Sequence, residues 1–284
     1  LQLEVLLKGQ PHIRSYSLVG EPDGQTYRIA VKRLPQGRGG SLAMWQLPVG
    51  ARLRVSAPQN HFALDFNAPA YLLVAGGIGI TPLLRMAHTL AQRSAAGGSA
   101  LRMLYGARTT DELAFLSELQ AQLGDRLRPV VGAAMDLAAE IAALPAGGQM
   151  YVCGPAPMLD AARSAWLAAG RPEADLRFET FGSSGASAPQ AFRVQIPRHG
   201  LDITVPADCS LLEALEQAGI EQLYDCQRGE CGLCALDVLA LDGTIDHRDV
   251  FLSTHEKQQN TRLCACVSRV TGSITLDSAW RPEP

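Results

Sequence analysis

The spacing of hydrophobic residues divides the chain into three stretches. In the first, residues 1 to about 65, short apolar or alternating runs are separated by turn residues such as those at 20–24. Alternation with a period of two is typical of strands that bury one face. The pattern predicts an antiparallel barrel or sandwich that lacks its first strands. The runs lie at 3–7, 13–18, 27–31 and 53–55.

In the second stretch, from about residue 69 to 178, apolar runs alternate with helical patterns. Residues 71–75 form a continuous apolar run, as expected for a strand buried on both faces. Alternating strands and helices of this length predict a parallel sheet in a doubly wound domain. Further strands are predicted at 101–105, 127–131, 149–152 and 176–178, and helices at 82–93, 111–123, 137–144 and 157–169.

The third stretch follows a run of small residues at 182–189, which is typical of a flexible linker. Residues 192–196 and 201–205 predict a hairpin. Ser210 and Glu213 have the spacing of a capping box at the start of a helix. Short strands such as 273–276 complete the chain. The predicted domains are 1–66 for the barrel, 67–182 for the doubly wound domain, 183–190 for the linker and 191–284 for the third domain.

Charge is distributed unevenly over these domains. Residues 190–284 contain 8 Lys/Arg and 14 Asp/Glu, and therefore carry −6, whereas the remainder carries +3. A basic front half suits phosphate-bearing ligands and an acidic end suits a basic partner, although two solvated surfaces would give the same balance. No run of 18 uninterrupted apolar residues occurs, so we expect no membrane association, and we expect no nucleic-acid partner.

Cysteines are concentrated near the C-terminus, where five of the seven lie between positions 226 and 266. This crowding argues for metal ligation in a reducing compartment rather than for disulfides. Cys226, Cys231 and Cys234 have the C-x4-C-x2-C spacing of plant-type [2Fe–2S] ligands, which require a fourth cysteine further along. A zinc site or three buried thiols are the alternatives, but zinc motifs usually pair two short units.

A glycine-rich turn, GGIGITP at 76–82, follows the first buried strand of the second stretch. Glycines let the backbone approach a pyrophosphate, and the N-terminus of the following helix presents N–H groups to the anion. Thr81 is suited to cap that helix and Pro82 to begin it. Pro82 replaces the last glycine of the usual fingerprint, so the motif alone could be a tight turn.

Together with other motifs, this turn resembles a known family. The motifs are RSYS at 14–17, GGS at 39–41 in a loop, GGIGITP at 76–82, YGAR at 105–108 and CGPAPM at 153–158. They are similar to the ferredoxin–NADP⁺ reductase superfamily. With the C-terminal plant-type ferredoxin module they resemble the phthalate dioxygenase reductase group, which includes vanillate demethylase and carnitine monooxygenase reductases. The resemblance implies a multidomain fold: an antiparallel β-barrel flavin domain, an α/β doubly wound nucleotide domain and an α+β (β-grasp) ferredoxin domain.

The resemblance also implies the flavin-binding residues. Arg14 would pair with the flavin phosphate, for which a guanidinium fork is well suited. Tyr16 would pack against the isoalloxazine, and Ser17 would hydrogen-bond near its N5. Phe181 would cover the opposite ring face until nicotinamide displaces it, although Tyr16 and Phe181 could be ordinary core aromatics. The other implied contacts are Ala30, Val31, Lys32, Gly40 and Ser41.

For the dinucleotide, the resemblance places Arg108 near the adenosine ribose. It places Cys153 beside the nicotinamide, where it could also be a small buried hydrophobe. Asp111 lies close to Arg108, where a 2′-phosphate would need cations, and this favours NADH over NADPH. The implied pyrophosphate ligands are Gly77, Gly79 and Thr81.

The fourth cluster ligand is either Cys264 or Cys266. Cys264 leaves 29 residues after Cys234, a common plant-type interval. Cys266 opens the sequence CVSR, which resembles the segment that follows the family ligand. Because loop length changes at little cost, local sequence is the better guide, and we favour Cys266. Cys209 is expected to be a packing residue.

The resemblance implies the reductase component of a two-component oxygenase, as found in aromatic degradation. NADH would reduce FMN, and electrons would pass through the [2Fe–2S] cluster to a Rieske-type terminal oxygenase. No residue need act as an acid–base catalyst, because the cofactors supply the chemistry. We expect a monomer in the cytoplasm. The alternatives are a free-standing NADH reductase for a small acceptor and a non-catalytic redox carrier or sensor.

Overall fold

The computed structural model describes residues 1–278 except 8, 22, 36–38 and 182–188. The predicted linker at 183–190 therefore lies almost entirely outside the described residues. The chain forms two compact units. The first comprises Leu1–Arg33 and Ala43–Glu179, and the second comprises Leu34–Leu42 and Thr180–Pro284.

The N-terminal part of the first unit is a small antiparallel sheet. Strand β1 (Gln2–Leu7) pairs along its whole length with β2 (Gln10–Ser15). The expected runs at 27–31 and 53–55 contribute single bridges, from Ile29 to Leu18 and from Val55 to Leu3, rather than strands. Val55 is 46% exposed, so its side chain buries little apolar surface that could stabilise a longer strand pairing.

A short helix, α1 (Gly40–Trp45), begins where a loop was expected. Gly39 has φ +86°, a left-handed conformation that glycine adopts without strain and that turns the chain into the helix. At its far end, Trp45 Nε1 donates a hydrogen bond to the Val31 carbonyl at 2.9 Å. The expectation of a loop at Gly40 is therefore wrong, and the side chain of Trp45 anchors the helix.

A five-stranded parallel sheet forms the centre of the first unit, in the order β5-β4-β3-β6-β7. Every residue of β3 is buried, as its apolar run predicts. Because the chain moves outward from β3 in one direction and then returns to its other side, the end of β3 is the switch point at which ligands of such sheets bind. The strands are β3 (Ala70–Gly76), β4 (Ala100–Ala107), β5 (Leu127–Val131), β6 (Gln149–Cys153) and β7 (Leu176–Glu179).

Helices connect these strands, and one is shorter than predicted. In place of a helix over 111–123, the chain forms a 3₁₀ turn at Thr110–Glu112 and then α3 (Leu116–Leu123). Phe115 separates them with φ 61°, a left-handed value that cannot continue a right-handed helix. The other helices are α2 (Ile80–Ala95), α4 (Leu137–Ala143) and α5 (Ala156–Ala168).

The second unit contains a mixed five-stranded sheet in the order β11-β10-β12-β8-β9. Strands β8 and β9 form the predicted hairpin, and β12 runs parallel to β8. The predicted capping box begins α6, since the side chains and backbones of Ser210 and Glu213 hydrogen-bond reciprocally. The elements are β8 (Phe192–Ile196), β9 (Leu201–Val205), α6 (Leu211–Gln217), β10 (Ala235–Asp246), α7 (Thr254–Gln259), β11 (Arg262–Cys264) and β12 (Arg269–Asp277).

Two elements of this unit were not predicted. Strand β10 is twelve residues long and links β11 to β12, and α7 begins with a second capping box, formed by Ser253 and Glu256. The capping-box spacing was a signal available in the sequence. Within the described residues, no helix is both long enough and apolar enough to cross a bilayer.

Candidate cofactor sites

The glycine-rich turn lies at the carboxyl end of β3, at the switch point of the sheet. A Cβ at Gly76 would lie 2.7 Å from Pro155 Cδ, and a Cβ at Gly79 would overlap the Cys153 carbonyl. Gly77 has φ +52°, and no atom lies within 4 Å of the place its Cβ would occupy. The turn therefore packs closely on one side and leaves open backbone on the other, which fits a pyrophosphate.

Helix α2 begins directly after this turn. Its N-cap is Gly79, and no side chain of the described residues caps it. Thr81 is only 3% exposed, and its hydroxyl donates to the Ile78 carbonyl at 3.0 Å. The expectation that Thr81 caps the helix is therefore wrong, because the helix starts at Ile80. A 3₁₀ turn at Gly77–Gly79 runs into the helix and takes up the Ile80 N–H, so the N–H groups of the glycine turn and the positive end of the helix dipole suit an anion.

Strand β4 brings the YGAR motif to the same edge. Gly106 pairs with Gly76 across the two strands. The Tyr105 hydroxyl lies 3.2 Å from the Gly77 carbonyl oxygen and 3.0 Å from the Ala114 carbonyl oxygen, and thereby ties the glycine turn to the segment after β4. Burial raises the Tyr105 pKa above its usual value, so its hydroxyl stays protonated as a donor.

One carboxylate, Glu112, connects two of the predicted cofactor-binding cations. Its Oε1 lies 2.6 Å from Lys32 Nζ and 3.3 Å from Arg108 Nη2. The hydrogen bond from Lys32, helped by Arg108, lowers the Glu112 pKa to about 2. Sequence reasoning missed this residue, although its position four residues after Arg108 is the spacing of a helical ion pair.

The predicted flavin residues of the first unit lie on two neighbouring segments. Arg14 is on β2, and Tyr16 and Ser17 follow it in half-buried positions. The antiparallel bridge between Leu18 and Ile29 places Ser17 opposite Ala30. Burial raises the Tyr16 pKa, although the charge of Arg14 opposes this shift.

Three further predicted flavin contacts belong to the second compact unit. Gly40 is buried at the start of α1, and Ser41 Oγ accepts a hydrogen bond from the Leu34 N–H at 3.1 Å. Phe181 is half-buried. Their roles toward the flavin stay predictions.

The cysteine loop holds one sulfur in a ring of backbone donors. Cys226 Sγ accepts hydrogen bonds from the N–H groups of Arg228, Glu230 and Cys231, each at 3.4 Å. N–H groups directed at a sulfur stabilise its negatively charged form. Gly229, with φ +77°, supplies the left-handed backbone that this curl needs. The loop therefore fits a thiolate ligand of an iron–sulfur cluster.

Two more cysteines converge on Cys234. Its Sγ lies 3.2 Å from Cys266 Sγ, and Cys264, on β11 opposite Ala235, also hydrogen-bonds to it. Hydrogen bonding with Cys264 and Cys266 lowers the Cys234 pKa below its usual value. Both Cys264 and Cys266 are buried and close to Cys234, so the fourth ligand stays a prediction. In the described part of the chain, no group of three or more His, Cys, Asp or Glu side chains is arranged to hold a single metal ion.

A buried carboxylate beneath the cysteine loop was also missed by sequence reasoning. Asp249 is 0% exposed and accepts hydrogen bonds from the Leu252 N–H at 2.8 Å and the Ser268 hydroxyl at 3.3 Å. A Cβ at Gly229 would lie 2.8 Å from Asp249 Cα. The cysteine loop therefore rests directly on this segment, which the spacing of the cysteines could not indicate.

Comparison with known proteins identifies both units. Residues 194–271 match a 2Fe-2S iron-sulfur cluster binding domain, and residues 73–131 match an oxidoreductase NAD-binding domain. The chain is 41% identical to phenoxybenzoate dioxygenase subunit beta of Ectopseudomonas oleovorans, over 93% of this chain and 82% of that protein. It is 34% identical to the phthalate 4,5-dioxygenase oxygenase reductase subunit of Pseudomonas putida, again over 93% and 82% of the two chains.

A solved structure extends this similarity to the fold. Phthalate dioxygenase reductase, described as a modular structure for electron transfer from pyridine nucleotides to [2Fe-2S], matches with a TM-score of 0.71 and 33% identity, covering 97% of this chain and 86% of that one. The chain belongs to the phthalate dioxygenase reductase family. Membership confirms the multidomain fold, the oxidoreductase class and the cofactor set of FMN, NADH and a [2Fe–2S] cluster. As a member of this family, the chain transfers electrons from NADH to its [2Fe–2S] cluster as the reductase component of an oxygenase system.

Proposed function

We propose that this reductase serves a Rieske-type terminal oxygenase and works as a monomer in the cytoplasm. Relatives named as subunits of dioxygenases and as a demethylase oxidoreductase support an oxygenase partner. Five of the seven cysteines lie between positions 226 and 266, a pattern typical of metal ligation, which suits a reducing compartment. The acidic ferredoxin domain, with its balance of −6, suits a partner whose docking face is basic.

The observation that carries the proposal is the pairing of two sites on one chain. A glycine turn with open backbone at Gly77 lies at the switch point of a parallel sheet. A cysteine loop with three N–H groups directed at Cys226 Sγ lies in the other unit. A dinucleotide site and an iron–sulfur site together suit a protein that accepts an electron pair and delivers single electrons.

In this proposal, FMN supplies the conversion between two-electron and one-electron transfer when it is bound. The protein's residues bind and orient. Gly77, Gly79 and the first turn of α2 hold the pyrophosphate, and Arg108 lies beside the adenosine ribose. Arg14 pairs with the flavin phosphate. The proposed cluster ligands are Cys226, Cys231, Cys234 and Cys266.

Anaerobic reduction of the purified protein tests the proposal. We expect a visible spectrum with both flavin and iron–sulfur absorbance, and we expect NADH to bleach both. The reduced protein, mixed in equal amount with the Rieske oxygenase encoded by a gene next to its own, should then reduce that oxygenase. Absence of flavin absorbance would favour a non-catalytic carrier. Rapid physiological turnover with a small acceptor, together with no transfer to the oxygenase, would favour a free-standing reductase.

The proposed monomer is tested separately by sedimentation. A single species near the 30.3 kDa chain mass is expected. A stable dimer at micromolar concentration would contradict that part of the proposal and leave the electron-transfer part standing.

A further inference from the structure

The carboxylate of Glu112 lies at the edge of the sheet where the dinucleotide binds. Arg108 follows the last residue of β4, two positions after Gly106, which pairs with Gly76 of the glycine turn. The Tyr105 hydroxyl contacts the Gly77 and Ala114 carbonyl oxygens and so holds the segment after β4 against that turn. Glu112 is therefore placed near the pyrophosphate turn by contacts that do not depend on family resemblance.

Within this segment, Glu112 contacts Arg108 through both its guanidinium and its backbone N–H. Glu112 Oε1 lies 3.3 Å from Arg108 Nη2, and Glu112 Oε2 accepts the Arg108 backbone N–H at 3.3 Å. The side chain of Arg108 is otherwise exposed, at 87%, whereas that of Glu112 is 19% exposed and is also held by Lys32. Arg108 and Lys32 therefore share one carboxylate, and Glu112 offsets one of their two positive charges.

This pairing bears on which dinucleotide can bind. A 2′-phosphate needs uncompensated cations, and an arginine commonly supplies them in NADPH-binding sheets, whereas a carboxylate near the ribose accepts a hydrogen bond from the 2′-hydroxyl of NADH. An ionised carboxylate beside a phosphate is repelled by its charge. Asp111, the neighbouring carboxylate, is exposed and lies on the outside of the same turn.

We propose that Glu112, rather than Asp111, makes this reductase select NADH over NADPH. The inference rests on the proposed placement of the adenosine ribose beside Arg108. Glu112 acts by offsetting one of the two positive charges of Lys32 and Arg108 and by opposing the charge of a 2′-phosphate. In this proposal Glu112 acts on the adenosine end of the dinucleotide, and so affects binding rather than the chemical step.

The test compares Glu112→Gln with the matched Asp111→Asn in the holoenzyme. The kcat/KM for NADH and for NADPH is measured with ferricyanide as electron acceptor. For Glu112→Gln we expect the NADPH-to-NADH ratio of kcat/KM to rise at least tenfold, mainly through a lower KM for NADPH. For Asp111→Asn we expect the ratio to stay within twofold of the original protein. An unchanged ratio in Glu112→Gln, or an equal rise in Asp111→Asn, overturns the inference.

A binding measurement separates recognition from turnover. Calorimetric titration with ADP-ribose and with 2′-phospho-ADP-ribose should show at least tenfold tighter binding of the phosphorylated ligand in Glu112→Gln and little change for ADP-ribose. Equal weakening of both ligands would mean that Glu112 only supports the fold, and overturns the inference. If the unaltered protein oxidises neither dinucleotide, the proposed function fails. If it oxidises NADH and the NADPH-to-NADH ratio of kcat/KM does not change in Glu112→Gln, only the inference about Glu112 fails and the proposed function stands.

Discussion

The Sγ atoms of Cys234 and Cys266 lie 3.2 Å apart in the core of the ferredoxin unit. Cys266 lies just after β11, where the backbone has left the strand, and the Ser268 N–H returns to the Cys264 carbonyl at 3.0 Å. Cys264 is held in the strand itself, opposite Ala235. Both cysteines contact Cys234, so Cys266 stays the predicted ligand.

We predict that Cys266→Ser loses the cluster and Cys264→Ser retains it. Serine keeps the volume of cysteine but binds iron poorly, so only the true ligand should be sensitive. Iron and acid-labile sulfide per protein, together with visible absorbance, check the outcome. Retention of two irons in Cys266→Ser with loss in Cys264→Ser would reverse the assignment. Cys209→Ser, a change in the same core at a cysteine outside the motif, serves as the control and should keep the cluster.

Two glycines of the dinucleotide turn should respond differently to alanine. At Gly79 an added Cβ would overlap the Cys153 carbonyl, so Gly79→Ala should displace the segment after β6 and weaken NADH binding at least tenfold. At Gly77 an added Cβ meets no protein atom within 4 Å, so alanine costs the fold only about 1 kcal/mol, for the left-handed backbone, although the Cβ would enter the space proposed for the pyrophosphate. Urea unfolding of both variants therefore measures the difference in packing. Equal effects at the two positions would argue against a close contact between the turn and Cys153.

The ion pair between Lys32 and Glu112 should make a pH-dependent contribution to stability. The Glu112 pKa falls from 4.5 to about 2 in the folded protein, so the contribution is present above pH 4.5 and is lost as the pH falls through about 2. A shift of this size corresponds to at most about 3 kcal/mol, and because the partners are partly exposed, screening reduces it to about 1 kcal/mol.

Urea unfolding of the unaltered protein and Glu112→Gln measures this contribution. The difference in unfolding free energy should be constant between pH 6 and 8 and should shrink by about half near pH 3. A difference that stays constant over the whole range would show that packing, not charge, is the source.

Arg269 should be a major source of stability in the ferredoxin unit. It is 4% exposed and donates to the carbonyls of Gln190, Pro206 and Cys209, while its guanidinium lies 4.8 Å from the Phe192 ring centroid. Arg269→Met would leave these carbonyls unpaired in the interior and should lower the unfolding free energy by about 3 kcal/mol.

Arg198 offers the matched control for this substitution. It pairs with Asp277 at 2.7 Å but is 44% exposed, so Arg198→Met should cost less than about 1 kcal/mol. Denaturant unfolding followed by cluster absorbance measures both variants. Equal losses would mean that burial of Arg269 does not set its contribution.

The sequence by itself determined the parts of this protein that depend on local pattern. The apolar run at 71–75 predicted β3, because a strand that is buried on both faces has apolar residues at every position. The cysteine spacing predicted the 2Fe-2S domain, and Ser210 with Glu213 predicted the start of α6, because both signals lie within a few residues.

Only the tertiary structure decided the features that join distant residues. The convergence of Lys32 and Arg108 on Glu112 joins positions 80 residues apart, and the buried Asp249 lies under a loop that is distant in the sequence. The left-handed conformation of Phe115, which shortens α3, could not be predicted from the sequence, because no glycine or proline lies next to it. Local patterns determine which elements form, whereas shared counterions and close packing depend on how the chain brings those elements together.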